Sequence, residues 1–413
     1  MICGAAIPRP RIAVVSPFID KRHGTERRVA ECISRLAEDY EFHIYSNRVE
    51  DLDLTRVIWH RIPALPGPHL FAYLWWFAAN HLWRWCDRRF RGLAPAVVYS
   101  PGINCFDADV VTVHVIFTEF SKQVREELRF QNNPARSWMR LVHRRLYYGL
   151  IRFLESRIYV NPSLTIGAIS QKISSEMRAG FGRAEKLRVI YQGIDHELFN
   201  PQVRMARRKE MRSRLGLSED ELALLLIGNG WKNKGLPCVL AALGRLREIP
   251  CRLLVVGADD QTPYSSVISR EGLHDRVNFL QPSADVVQFY AAADVYVGPS
   301  LYDSFAQPPM EAMACGLPVI TSSRNGGCEV IASGVDGLVM RDAEDPQELA
   351  EFVRSLRNDP AGCRRMGEMA AEKARSFTWE DNVSKMRQLF EQVQQRKEPV
   401  ALLSSPGRAS GDV

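Results

Sequence analysis

The sequence predicts an α/β protein built from two doubly wound units in tandem. Three observations carry that expectation. Arg11–Pro17 (RIAVVSP) is a short β-branched run, followed by a loop holding His23-Gly24 and by Glu26–Leu36, with Val29, Ile33 and Leu36 at helical spacing. Strand, glycine loop and helix open a doubly wound unit. After a polar, basic stretch at Asn200–Arg214, read as a linker, the same order restarts: Leu222–Ile227 (LALLLI), Gly228-Asn229-Gly230, then a helix from Leu236. Elsewhere, apolar runs of strand length alternate with helical patterns, and no repeat of solenoid period is present.

In chain order, Phe42–Ser46 and Val57–Pro63 read as strands, followed by an aromatic segment. Ala96–Ser100 (AVVYS) ends at Pro101-Gly102, and Val110–His114 (VVTVH) ends on a histidine. Residues 119–160 carry arginines and aromatics at helical spacing. Leu164–Ser170 and Leu187–Tyr191 are strands around a helix from Gln171. In the second half, strands fall at Arg252–Val256, Val277–Leu280, Val295–Val297, Val319-Ile320 and Leu338-Val339, with helices at about 346–357 and 361–375. Glu380–Gln394 has a helical apolar stripe, and the Pro-, Ser- and Gly-rich end from Glu398 to Val413 reads as disordered.

The 413 residues, 46% hydrophobic and 25% charged, are those of an ordinary globular protein, large enough to need no disulfide or metal staple. Nine scattered cysteines without a CxxC pair read as reduced thiols. The start MICGAAIPRPR lacks the apolar run of a secretory signal. Charge is uneven: residues 1–200 carry 28 Lys and Arg against 20 Asp and Glu. That favours an anionic partner, a membrane surface or a phosphorylated substrate. No nucleic-acid motif accompanies the charge, so nucleic acid is not expected. Leu70–Trp83 (LFAYLWWFAANHLW), followed by Arg84, Arg88, Arg89 and Arg91, is too short to span a bilayer. It reads either as an interfacial segment or as a core helix with a charged end.

In open α/β sheets, ligands bind outside the carboxyl ends of the strands. Two stretches there carry chemistry. GNGWKNKG (Gly228–Gly235) places glycines, Lys232 and Lys234 before a helix start, which suits a phosphate. It lacks Walker spacing and reads equally as a tight turn. LYDSFAQPPMEAMACGLPVI (Leu301–Ile320) holds Asp303 in a loop and Glu311 in what reads as a helix's first turn. There Glu311 either complements the helix dipole or accepts from a pair of vicinal hydroxyls. Ser304–Ala306 offers backbone amides. Asp107–Asp109 (DAD) mimics a metal-binding pair but precedes a strand, so it reads as a solvated turn, and no metal site is expected.

The block DSFAQPPMEAMACGLPVI, preceded by FYAAADVYVGPS and followed by Asn325-Gly326-Gly327-Cys328-Glu329, resembles the nucleotide-binding signature of the retaining GT-B glycosyltransferases, family GT4. The usual core is E-x-F-G-x-x-x-x-E-A-M-A-x-G-x-P-V. GNGWKNKG is similar to the family's phosphate loop, HGTERR (His23–Arg28) to its first-domain glycine loop, VVTVH to its active-site histidine strand, YQGIDHELF (Tyr191–Phe199) to its interdomain link and FTWE (Phe377–Glu380) to the start of its crossover helix. The likeness runs from about residue 11 to 395, and within the family it points to the lipopolysaccharide-core and polysaccharide transferases.

The resemblance implies a GT-B fold: residues 1–198 with 378–397 as acceptor domain, 199–377 as donor domain and 398–413 as tail. It implies catalytic roles for His114, Lys234 and Asp303, and donor contacts from Gly24, Gly230, Lys232, Phe305, Ala306 and Glu311. Glu311 takes the place of the ribose-binding carboxylate, Asp303 that of the sugar-binding one, and Lys234 that of the diphosphate lysine. Asp303 stands for Glu, Ala306 for Gly, which matters where φ is positive, and Asn229 for an Arg that Lys232 replaces as a point charge. The implied reaction moves a hexose from a nucleotide-sugar, UDP before GDP, to a lipid-linked saccharide or lipopolysaccharide core. It needs no metal or other cofactor and takes place in the cytoplasm, peripherally on the inner membrane through Leu70–Arg91 and Arg136–Arg152. The alternatives are a nucleotide-sugar epimerase on the same fold and a non-catalytic nucleotide-sugar-binding homologue.

Overall fold

The computed structural model describes residues 9–21, 24–125, 129 and 137–403. His23, Arg136 and residues 404–413, all named in the sequence reading, lie outside the described residues. The chain divides into two units: Met1–Ile169, Ile173–Tyr191 and Glu380–Val413 form the first, and Ser170–Lys172 with Gln192–Trp379 the second.

The first unit holds β1 (Arg11–Val15), β2 (Phe18–Ile19), α1 (Gly24–Leu36), β3 (Glu41–Ser46), β4 (Arg48–Val49), β5 (Ile58–Arg61), α2 (His69–Arg91), β6 (Val97–Pro101), β7 (Val110–Val113), α3 (Phe117–Gln123), α4 (Trp138–Ile158), β8 (Thr165–Ala168), α5 (Gln171–Phe181, most of it in this unit) and β9 (Leu187–Val189). Seven of these strands form one parallel sheet in the order β5-β3-β1-β6-β7-β8-β9, while β2 and β4 pair by themselves. Every residue of β6, β7 and β8 is buried, which is why their runs read as continuously apolar.

The second unit begins with α6 (Pro201–Arg214), so the stretch expected to be a linker is a helix. Asn200 caps it by accepting from the Val203 amide at 2.8 Å, with Pro201 in the first turn. Its basic residues are structural: Arg208 and Arg212 pair with Asp294, and Arg207 pairs with Asp285. Then follow β10 (Leu222–Ile227), α7 (Leu236–Gly244), β11 (Cys251–Val256), α8 (Ser265–Glu271), β12 (Val277–Leu280), α9 (Val287–Ala292), β13 (Val295–Gly298), α10 (Gln307–Ala314), β14 (Val319–Ser322), β15 (Leu338–Met340), α11 (Pro346–Asn358) and α12 (Pro360–Ala374). The six strands are parallel in the order β12-β11-β10-β13-β14-β15. The order reverses between β10 and β13, the point at which open α/β sheets bind ligands beyond the strand ends.

The last helix, α13 (Trp379–Leu403), groups with the first unit from Glu380 onward. Val383, Met386, Leu389, Phe390 and Val393 enter the core around Ile12, Val14, Ile33 and Phe42, and Arg387 pairs with Asp39. The helix continues to Leu403, so residues 398–403, expected to be disordered, are helical. No described helix is long and apolar enough to cross a membrane.

Two loops of the second unit meet at the reversal point. Gly235 has φ +86°, and a Cβ there would lie 2.2 Å from the Pro299 carbonyl oxygen. Replacing Gly235 with Ala should therefore destabilise the fold by about 2–4 kcal/mol, through left-handed strain and overpacking together. A urea midpoint unchanged from wild type would contradict this close approach.

Candidate active site

The residues at the reversal point are laced together across the two loops. Asn233 donates through Nδ2 to the Tyr302 carbonyl at 2.7 Å and accepts at its own carbonyl from the Leu301 amide, also at 2.7 Å. This brings Lys234 Nζ to 2.5 Å from Asp303 Oδ2, with both side chains mostly shielded from solvent. Asp303 Oδ1 accepts from the Phe305 amide at 3.3 Å. The ammonium thus has its counter-charge in place before any ligand arrives, and the carboxylate is oriented from two sides.

Helix α10 begins at Gln307, with Pro308 and Pro309 in its first turn, where missing amide protons cost nothing. Glu311 therefore lies in the second turn and not the first. The helix-dipole reading loses its ground, and the carboxylate's place comes from packing. Glu311 is buried, and the Tyr290 hydroxyl donates to its Oε2 at 2.8 Å. Burial, then the carboxylate itself, raises the Tyr290 pKa well above its usual 10.0, so the phenol stays a donor. Tyr296 on β13, fully buried, is pushed up by burial and then by Asp303 and Glu311, so both carboxylates surround one strand end.

The amides of Ser304–Ala306 are less available than the sequence implied. Phe305 N–H goes to Asp303, and Ala306 N–H to Asn325 Oδ1 at 3.3 Å. Asn325 also accepts from Gly327 N–H at 2.9 Å and donates to Thr321 Oγ1 at 3.1 Å. A Cβ at Gly326 would lie 1.9 Å from the Ser304 carbonyl oxygen, so Asn325-Gly326-Gly327 shapes the Asp303 loop from beneath. Ala306 has φ −63°, and no glycine is required there. Phe305 is buried beside it.

The phosphate loop also differs from its expected form. Gly228 and Gly230 have positive φ. The Gly230 and Trp231 amides, however, donate to the Asp259 carboxylate at 3.1 and 2.7 Å, and Ala258 N–H donates to Asn229 Oδ1 at 2.9 Å. At the α7 start, Leu236 N–H goes to the Trp231 carbonyl, and Pro237 has none. The loop presents lysine side chains, exposed Lys232 and shielded Lys234, in place of a ring of amides. Beside the loop, a cavity of about 280 Å³ is lined by Trp231, Gly257, Asp259, Phe279, Leu280 and Gln281, among others, at the ends of β11 and β12. The buried Trp231 Nε1–H has no hydrogen-bond partner among the described residues. Sequence reasoning missed Trp231, Asp259, Tyr290 and Gln281. Asp259 follows β11 at a strand end, the one signal that could have found it.

Gly24 and His114 belong to the first unit, and the other named residues to the second. Gly24 is the first residue of α1, and a Cβ there would meet nothing within 4 Å. His114 follows β7, with Nε2 3.1 Å from Thr112 Oγ1. Burial, then the Arg28 charge, holds its imidazole well below the usual 6.5. Asp107 lies in an exposed bend, as expected, and both its oxygens also accept from Arg84, at 2.6 and 2.8 Å. Asp109 accepts from Val98 N–H and Lys397.

Comparison with known proteins places this geometry. The family described as "Glycosyl transferases group 1" matches residues 207–373, and "Glycosyltransferase Family 4" matches residues 22–198. The chain is 29% identical over 268 residues to "Spore coat protein SA" of Bacillus subtilis, covering 60% of this chain and 71% of that protein. It is 31% identical over 212 residues to "D-inositol 3-phosphate glycosyltransferase" of Thermobifida fusca, and spans only 48% of that protein's length. Among solved structures, WaaG, a glycosyltransferase involved in lipopolysaccharide biosynthesis, superposes with TM-score 0.73 at 18% identity, covering 91% of this chain and 98% of that one. An Anabaena protein solved with UDP and glucose superposes with TM-score 0.68 at 19% identity, covering 93% and 100%. These structural likenesses show the GT-B fold.

The neutral His114 has a consequence for acid stability. Its folded pKa lies below the unfolded value, so below about 6.5 the native chain binds fewer protons than the unfolded chain. Stability contributed by the neutral ring is present above that pH and lost as pH falls through it, at up to ~1.4 kcal/mol per pH unit. The gap in unfolding free energy between wild type and His114→Gln should shift against wild type from about pH 7 to about pH 5. A constant gap would show that the ring is not held neutral.

Proposed function

Because the chain belongs to the GT4 family of GT-B glycosyltransferases, we propose that it moves a hexose, with retention of anomeric configuration, from a UDP-sugar to a lipid-linked saccharide or a lipopolysaccharide-core acceptor. A GDP-sugar is the second choice of donor. The observation that carries this reading is the Lys234–Asp303 pair at the reversal point of the second sheet, between the Trp231–Gln281 cavity and the buried Glu311. The cavity suits a nucleobase, with Trp231 and Phe279 as apolar walls and Gln281 as a polar end. Glu311, steadied by Tyr290, would accept from the ribose hydroxyls, and Asp303 from the sugar. As the sugar–phosphate bond breaks, negative charge grows on the diphosphate. Lys234 and Lys232 would stabilise it, so the reaction would need no divalent cation. The bound UDP and glucose of the Anabaena neighbour favour uridine.

We further propose that the enzyme works on the cytoplasmic face of an anionic membrane, in keeping with the free thiols of the described cysteines. Helix α2 is partly a core helix, since Trp76, Ala79, Asn80, Arg84 and Asp87 are buried. Its other face exposes Phe71, Trp75, Leu82, Trp85 and Phe90, and α4 exposes Trp138, Met139, Leu146 and Phe153. Between the two helices lies an apolar groove of about 460 Å³. The carboxylates of these two helices, Asp87 and Glu155, are buried, while Arg88, Arg89, Arg144, Arg145 and Arg152 are exposed. An apolar, aromatic face on two helices whose exposed charges are arginines complements anionic lipid.

The full chain should gain about 2.7 kcal/mol of stability at roughly a hundredfold excess of its nucleotide-sugar over Kd, with no metal added. A thermal-shift screen against UDP, GDP, ADP and their sugar conjugates should select a UDP-sugar, and Glu311→Ala should abolish the response. Indifference to every nucleotide would defeat the donor assignment. Separately, the protein should float with liposomes containing phosphatidylglycerol, in a salt-sensitive way. Reversing the charge of Arg144 and Arg145 together should weaken that binding roughly tenfold or more. Equal flotation with neutral liposomes would defeat the charge argument.

A further inference from the structure

Behind His114 runs a line of buried hydroxyls. Tyr99 Oη on β6 lies 2.9 Å from Thr112 Oγ1 on β7, and Thr112 Oγ1 lies 3.1 Å from His114 Nε2. Tyr99 and Thr112 are essentially inaccessible to solvent. Across the sheet, Thr112 pairs with Gly167 on β8, where a Cβ would press on the Thr112 methyl at 3.3 Å. The glycine leaves the threonine side chain its place.

Counting protons along this line fixes its direction. Burial pushes the Tyr99 pKa upward, so the phenol keeps its hydrogen. A buried O–H must donate, and Thr112 Oγ1 is the hydrogen-bond partner of Tyr99 Oη among the described residues. Thr112 therefore accepts from Tyr99, and its own hydrogen turns to the other partner, His114 Nε2. With Nε2 as acceptor, a neutral imidazole carries its hydrogen on Nδ1. Nδ1 has no hydrogen-bond partner among the described residues, so this N–H remains available to a ligand. Protonating the ring would place a hydrogen on Nε2 as well. Thr112 would then either accept from both neighbours and leave its own hydrogen unpaired, or donate back to Tyr99 and orphan the phenol hydrogen; either way one buried hydroxyl hydrogen loses its partner, which costs free energy. The charged and titratable groups nearby, Arg28 and Cys32 on α1, are buried too, and the guanidinium opposes a second positive charge.

We propose that Thr112, braced by Tyr99, is a positioning residue that locks His114 as the Nδ1–H tautomer, so that the ring is a hydrogen-bond donor to an uncharged ligand oxygen and neither gives nor takes a proton. That the oxygen belongs to the transferred sugar rests on the catalytic role that the GT4 resemblance implies for His114. A histidine locked this way discriminates by chemistry. It holds a hydroxyl or ether oxygen through the lone pair and gains nothing from a group that can only donate.

The tautomer can be read directly. In the full chain labelled with nitrogen-15 histidine, long-range nitrogen–proton spectra distinguish the protonated ring nitrogen from the bare one. The His114 signals are those lost in His114→Gln. The expected result is a protonated Nδ1 and a bare Nε2. Thr112→Val should release the ring to a mixture of tautomers or to Nε2–H, and lower kcat/KM for the donor about tenfold, one neutral hydrogen bond's worth of transition-state binding. Tyr99→Phe should keep the tautomer, since Thr112 can still donate, with a smaller loss. Nε2–H in the wild type, or a Thr112→Val ring unchanged from wild type, would overturn the relay. If Thr112→Val does not fold, the wild-type spectrum and Tyr99→Phe still decide. The spectrum needs no turnover, so a refuted relay and an absent transfer reaction are separate results.

Discussion

The second unit depends on one close approach, the packing of Gly235 against the Pro299 carbonyl. Two loops leave adjacent parallel strands at the place where the sheet's order reverses, and nothing in the topology alone would make them touch. A residue without a side chain lets them. Once they touch, Asn233 binds the Tyr302 backbone and Lys234 reaches Asp303. The ion pair is a result of backbone proximity. Its value lies less in stability, since a shielded pair gains little net free energy against its desolvation, than in holding a positive and a negative group ready in one place.

Charge around this point is arranged with economy. Asp259 occupies amides that could have cradled a phosphate, and Asn325 and Asp303 occupy those of the second loop. Those amides are thus satisfied without a ligand. On the proposed reading a ligand would face side-chain charge already in place, the arrangement in which electrostatic stabilisation of a growing charge costs least.

The fold class was legible because parallel strands buried on both faces read as unbroken apolar runs, and Leu222–Ile227 and Val110–Val113 are such runs. The Asp303–Glu311 block was legible because its spacing is distinctive. Other features escaped for physical reasons. The basic composition of Pro201–Arg214 concealed a helix whose arginines are neutralised by Asp285 and Asp294, some 80 residues onward, and no local pattern announces such partners. Glu311 was set one turn too early because the two prolines read as loop, although a helix's first turn accepts them. Asp259 and Tyr290 stayed hidden because their importance comes from what they touch.

The return of α13 to the first unit bears on how the chain is made. The second unit is contiguous in sequence apart from three residues, so it can close as soon as Trp379 is available. The first unit cannot. Its central core lacks Val383, Met386, Leu389, Phe390 and Val393 until the final helix exists. During synthesis the earlier-made unit therefore waits, with one side of its sheet uncovered, for a segment made after the whole of the second unit. Unpaired apolar surface of that kind is where aggregation begins. Completion of the first unit has to follow synthesis of the second, and loss of α13 would damage the domain at the amino end.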